Sequence, residues 1–120
     1  MNKQIKQKRI NECLRLVDTS YKLIKNYVKP HPQNSDEHEI AKFIKCLQLM
    51  REGKEIYTEV KFKTGKGRCD ILVPEDFQVF EILYSETTEE ALIKTKKYPK
   101  QLEIFLISSK EILEENKAFI

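Results

Sequence analysis

Two acids stand where the surrounding pattern calls for apolar side chains. Asp70 interrupts the run Cys69–Val73, and Glu81 interrupts Val79-Phe80-Glu81-Ile82-Leu83. A carboxylate on a buried strand loses its hydration unless it is paired, hydrogen-bonded or bound to a cation. Set on consecutive strands, these two can converge on one point. Converging carboxylates attract Mg²⁺, a hard cation that prefers oxygen ligands and retains several waters. The alternative is that each acid pairs with a nearby Lys or Arg, or meets solvent at a strand end.

The elements that must position them follow from periodicity. Ile10, Leu14, Val17, Tyr21, Ile24 and Val28 recur at steps of three and four, which predicts a helix over roughly 3–28. Lys29-Pro30-His31-Pro32 ends it, since proline removes a backbone donor and restricts the residue before it. Asn34-Ser35-Asp36-Glu37 has the form of a capping box opening a second helix to about 52, with Ile40, Phe43, Ile44, Leu47 and Met50 as its apolar stripe. From Glu55 the period becomes two. Ile56, Thr58, Val60 and Phe62 take one strand face, and Tyr57, Glu59, Lys61 and Lys63 the other. Gly65-Lys66-Gly67 supplies a hairpin turn into a second strand, Arg68–Val73, stopped by Pro74. A third strand spans Val79–Tyr84, and a helix of about 87–97 is capped by Ser85-Glu86-Thr87-Thr88. Leu102-Glu103-Ile104-Phe105-Leu106-Ile107, apolar at every position but Glu103, is expected at the sheet centre, and a last short helix runs to about 117. The order α-α-βββ-α-β-α makes one domain over 1–120 of the α/β class with a mixed sheet.

Charge is unevenly spread. The chain carries 22 basic and 19 acidic residues, a net +3. Residues 1–30 hold eight basic side chains against Glu12 and Asp18, a local +6, so the remainder is acidic. A basic arm on an acidic body points to a polyanionic partner, or else to a solvated helix face. The longest apolar run, Ile104–Ile107, is far too short for a membrane-spanning helix, and the basic start lacks a signal-peptide core. Cys13, Cys46 and Cys69 are odd in number and never spaced as C-x-x-C, so a cytoplasmic protein with reduced, packing cysteines is expected. Two isolated histidines, His31 and His38, add no zinc pattern.

The element order, with Glu39 (or Glu37) near a helix start, Gly67-Arg68-Cys69-Asp70-Ile71-Leu72-Val73 and Phe80-Glu81-Ile82-Leu83, resembles the PD-(D/E)xK nuclease superfamily over about residues 36–107. Within it the chain is most similar to small archaeal or viral nuclease-fold proteins and Holliday-junction resolvases, through Glu37-His38-Glu39 and Tyr84-Ser85-Glu86. The resemblance implies a restriction-endonuclease-like αβββαβ core (35–107), extended by the basic N-terminal helix (1–30) and a C-terminal helix (108–120). It implies that Asp70 and Glu81 hold Mg²⁺, with Mn²⁺ as substitute, that Glu39 adds a third carboxylate, and that the reaction is hydrolysis of DNA phosphodiesters.

One departure stands out: the family pattern Glu-x-Lys is here Glu81-Ile82-Leu83. Leucine cannot supply the missing cation. Lys94 is the expected substitute, since Lys94-Thr95-Lys96-Lys97-Tyr98 resembles the Gln-x-x-x-Tyr helix of RecB-type nucleases, whose side chains point into the site. Lys61 and Lys63, on the strand face of Glu59, are alternatives, and an exposed Lys94 paired with Glu90 is the bland one. Lys61, Lys63, Lys66 and Arg68 crowd the hairpin and would contact DNA phosphates without reading sequence, with Lys96, Lys97 and Lys100 extending the track. The stripe of the first helix either packs on its own domain or serves a homodimer. The competing class is a catalytically degenerate module that binds nucleic acid or assembles with other proteins.

Overall fold

A computed structural model describes residues 1–20, 22–65 and 67–119, with the backbone only for Phe119. Tyr21 of the expected helical stripe and Lys66 of the expected DNA-contacting set lie outside the described residues.

The first helix, α1, spans Lys3–Leu14, with the Asn2 side chain accepting from the Ile5 N–H. It stops half-way along the stripe that predicted a helix to residue 28. Beyond it the backbone runs along an open sheet edge instead. Val17 bridges antiparallel to Phe62, the Asp18 N–H donates to Lys61 O (2.9 Å), and the Lys63 N–H to Leu16 O (2.9 Å). Farther along, Asn26 exchanges two bonds with Ile56, and the Lys29 N–H donates to Thr58 Oγ1. An unpaired strand edge leaves a row of donors and acceptors that another backbone can satisfy. Residues 16–18 and 26–29 do so, and the helix expected to run to residue 28 ends at Leu14.

The second helix, α2, spans Asp36–Arg51. Ser35 caps it by accepting from the His38 N–H, but the residue at that third position is histidine rather than Glu or Gln, so the cap is one-way rather than a box. Its buried face is His38, Ala41, Lys42, Cys46 and Leu49, whereas Ile40 and Phe43, expected to face the core, are 42% and 49% exposed. Gly53 adopts φ +82° just past its end, the left-handed conformation that terminates helices.

Four strands follow: β1 (Tyr57–Lys61), β2 (Arg68–Val73), β3 (Gln78–Leu83) and β4 (Glu103–Ser108). They lie in the order β1-β2-β3-β4, antiparallel except for the parallel β3/β4 pair. A parallel neighbour needs a crossover, which α3 (Thr88–Thr95) provides. The β4 strand is therefore an edge and not the sheet centre; its apolar side chains are half-buried, Ile104 beside one core cluster and Phe105 and Ile107 beside the other.

The sheet is covered on both faces. One cluster joins Cys13 and Val17 to Tyr57, Val60, Cys69, Val79 and Tyr98; the other joins Ala41, Cys46 and Leu49 to Ile71, Val73, Phe80, Ile82 and Ile112 of α4 (Ser109–Glu115). Strict alternation fails on β1. Tyr57 packs in the same cluster as Val60 and Phe62, with Ile56 in the other, so the phase slips by one residue at Glu59, whose φ is +53°. Glu59 is consequently buried while Lys61 and Lys63, expected beside it, are exposed. The pairing steps from Thr58↔Ile71 to Val60↔Cys69, which sets Glu59 and Asp70 at matching positions of adjacent strands.

Candidate active site

The β2/β3 ladder ends at Ile71↔Phe80. Beyond it the Ile82 N–H donates to Asp70 Oδ2 at 2.7 Å, so a side-chain carboxylate takes over as acceptor where the strands part. His38 Nε2, from the buried face of α2, donates to the same oxygen at 3.3 Å. Burial alone would push the Asp70 carboxyl up. The His38 bond and charge, the Ile82 N–H and the charge of Lys94 outweigh it and hold the group below its usual range.

Glu81 sits on β3 and is 1% exposed. The Tyr98 O–H donates to Oε1 at 2.6 Å and Lys94 Nζ to Oε2 at 3.2 Å. Burial, then the negative charge of Asp70, push Glu81 up to about 8; Lys94 and Tyr98 offset only part of this. Lys94 itself is raised: burial works against its charge, but the pull of Glu81 and Asp70 is stronger. Two acids thus share one half-exposed lysine, whose charge does not offset the burial and the Asp70 charge that raise Glu81. Lys94 reaches the acid from α3, which is fixed at its start by a reciprocal box between Thr87 and Glu90. Glu90 is spent on that cap, so the i−4 pair with Lys94 does not form.

The third expected carboxylate is elsewhere. Glu39 Oε2 lies 2.8 Å from Lys42 Nζ, and its Oε1 accepts from Asn34 Nδ2 at 2.8 Å. Lys42 is fully buried, and it also donates to Lys29 O (2.8 Å) and Glu59 Oε2 (3.3 Å). Glu37 accepts from Ser109 Oγ and ties α2 to α4. His38 stands between the two groups of acids: its Nδ1 is 3.7 Å from Glu39 Oε1, buried and without a hydrogen-bond partner among the described residues. The structure therefore brings Asp70, Glu81, Lys94, Tyr98 and His38 together and sets Glu39 in an adjoining network with Lys42 and Glu59. Among the described residues no group of three or more His, Cys, Asp or Glu side chains is arranged to hold a metal ion.

Lys42 and Glu59 were not singled out from the sequence as partners. For Lys42 the signal lay in the spacing His38, Lys42, Cys46, Leu49, which puts His38 and Lys42 on one side of α2 with Cys46 and Leu49. Of the expected phosphate contacts, Lys61 and Lys63 are exposed, and Arg68 is half-buried with its carbonyl oxygen 3.1 Å from the Tyr98 hydroxyl. His31 remains a loop residue whose Nδ1 accepts from the Gln33 N–H. A cavity of about 400 Å³ opens beside His38, lined by Asn34, Ser35, Tyr84, Ser85 and Glu86 among others. Among the described residues no helix is long and apolar enough to cross a membrane. No protein-family model, curated protein or solved structure matches the chain.

Proposed function

We propose that this protein is a Mg²⁺-dependent nuclease of the PD-(D/E)xK type that hydrolyses DNA phosphodiester bonds. The observation that carries the reading is the pair Asp70 and Glu81. Two carboxylates, each at least nine-tenths buried, sit where β2 and β3 part, with one half-exposed lysine between them and solvent. Buried acids that repel one another in this way are costly unless a cation joins them. Their oxygens fit Mg²⁺, which is commonly held by only one or two protein carboxylates, with water and substrate phosphate completing the shell. A third protein carboxylate is therefore not required, and Glu39 is left to serve Lys42.

When bound, the ion supplies Lewis acidity toward the phosphoryl group and lowers the pKa of water. The chain supplies the rest. The Ile82 N–H and His38 orient Asp70 so that one oxygen is fixed and the other is left for the ion. The Tyr98 O–H holds Glu81 in one rotamer. Lys94, 38% exposed in its side chain, can turn from Glu81 to the scissile phosphate and balance charge developing there, the task that Leu83 cannot perform. Cleavage of DNA in Mg²⁺ or Mn²⁺, abolished by EDTA and by Asp70→Asn with the fold intact, tests the assignment. Robust cleavage by Asp70→Asn, or activity unchanged in EDTA, overturns it.

A second reading has its own support. Both Glu81 oxygens are already engaged, one by Tyr98 and one by Lys94, and this closed arrangement suits a catalytically degenerate module that binds nucleic acid. Metal-independent binding of DNA with no cleavage of any DNA form in Mg²⁺ or Mn²⁺ would select it.

A further inference from the structure

A second concave surface shares Tyr98 with the site. It has a volume of about 650 Å³, within the range of small-ligand clefts. Its walls carry Arg15, Lys63, Lys97 and Lys100, and its lining includes the apolar Leu16 and Pro99. Among the described residues no acidic side chain lines it. All four cations are exposed, and none makes an ion pair or side-chain hydrogen bond among the described residues. The acid Asp18 feels Lys63 only weakly, behind its bonds to Ser20. A smaller adjoining hollow of about 420 Å³ repeats Lys63 and Lys97 and adds Gly65. A Cβ at Gly65 would stand 2.9 Å from Lys97 O, so the backbone at Gly65 packs closely on the turn that follows α3.

We infer that this groove holds an unpaired strand of nucleic acid, its phosphates on Arg15, Lys63, Lys97 and Lys100 and its base faces on the apolar floor. Four cations without internal partners are a site for a polyanion. The floor decides between duplex and single strand. A duplex hides its base faces in the stack and would use only the rim, whereas an unpaired strand exposes both phosphates and faces. Tyr98 links groove to site, because its hydroxyl donates to Glu81 while the residue lines the groove. This inference rests on the nuclease reading for the chemistry at Glu81, and it narrows the substrate to DNA with a single-stranded segment beside the cut.

Binding is measured in EDTA, where no hydrolysis occurs, by fluorescence anisotropy of a labelled strand of about 12 nucleotides, inside the span of known single-strand sites, and of the same sequence as a blunt duplex. The single strand should bind at least tenfold tighter. Arg15→Ala with Lys100→Ala should weaken that binding at least tenfold. It should also flatten the dependence of log affinity on log salt by roughly 1.4, about 0.7 for each phosphate that is no longer neutralised. Lys110→Ala, on the exposed side of α4, should change neither. Equal or tighter duplex binding, absence of binding, or an equal loss in Lys110→Ala overturns the groove. The two readings fail separately. Cleavage that survives Asp70→Asn overturns the nuclease site and leaves the EDTA result standing, whereas metal-dependent cleavage without strand preference in EDTA overturns the groove alone.

Discussion

Replacing Lys42 by methionine isolates the buried charge network from the chemistry beside it. Methionine keeps an unbranched chain of similar reach, so the change removes charge and hydrogen bonding with little loss of packing. Lys42 is 0% exposed and contacts Glu39 at 2.8 Å, Glu59 at 3.3 Å and Lys29 O at 2.8 Å. Removing one partner of a buried ion pair costs about 3–5 kcal/mol, because the remaining charge stays desolvated. Against a total stability of roughly 5–15 kcal/mol for a domain of this size, that is a large share. At about 4 °C per kcal/mol the melting temperature should fall by roughly 12–20 °C. Burial already raises Glu59, with Lys42 pulling the other way, so losing the lysine raises it further. A carboxyl raised in the folded state costs stability as pH climbs above its unfolded value. The gap between variant and wild type should therefore narrow at pH 5 and widen at pH 8. Urea denaturation followed by circular dichroism at both pH values measures this, with Lys42→Met/Glu59→Gln recovering part of the loss. A cost below about 1 kcal/mol at pH 8, or no recovery in the double variant, would refute the reasoning.

Two further predictions concern titration. Burial pushes the Cys13 and Cys46 thiols up to about 12 and Cys69 well above its ordinary value, so none should react with a thiol reagent at pH 8 until the protein unfolds; rapid native labelling of one equivalent would contradict this. With its folded carboxyl raised to about 8, Glu81 keeps a proton that it loses on unfolding. Metal-free wild type should therefore lose stability relative to Glu81→Gln as pH rises from about 4.5 through 8, and Mg²⁺ should shrink the difference; parallel stability curves for the two proteins would rule it out.

The elements around the candidate site were legible because each rests on local chemistry. Asp70 and Glu81 stood out as polar breaks in apolar strands, and the spans of α2, β2, β3 and α3 follow from caps and turn residues within their own windows. What sequence spacing misjudged depended on distant partners. Val17, Ile24 and Val28 fit a helical stripe as well as they fit a strap, and only the open edge of β1, some 40 residues on, decides between them. The apolar run of β4 reads as doubly buried, yet it pairs with one strand only and is half-covered on each face. Lys42 looks like a solvated helix lysine until the slip at Glu59 turns a strand acid toward it.

That slip also explains why two acidic clusters lie side by side with different solutions to one electrostatic problem. Glu39 and Glu59 share Lys42, a cation supplied by the chain and sealed from water, with its remaining bonding satisfied by a backbone carbonyl. Asp70 and Glu81 share Lys94, whose side chain keeps 38% of its surface in solvent and whose charge does not suffice to ionise Glu81 at neutral pH. A cluster built only for stability would be expected to resemble the first, since a buried acid without full compensation lowers stability. The second cluster is left short of positive charge and open on one side, at the point where β2 and β3 part. His38 couples the two, donating to Asp70 and standing 3.7 Å from Glu39. On the proposed nuclease reading, Asp70 would be held for a cation by His38 and the Ile82 N–H, two groups already fixed by the fold.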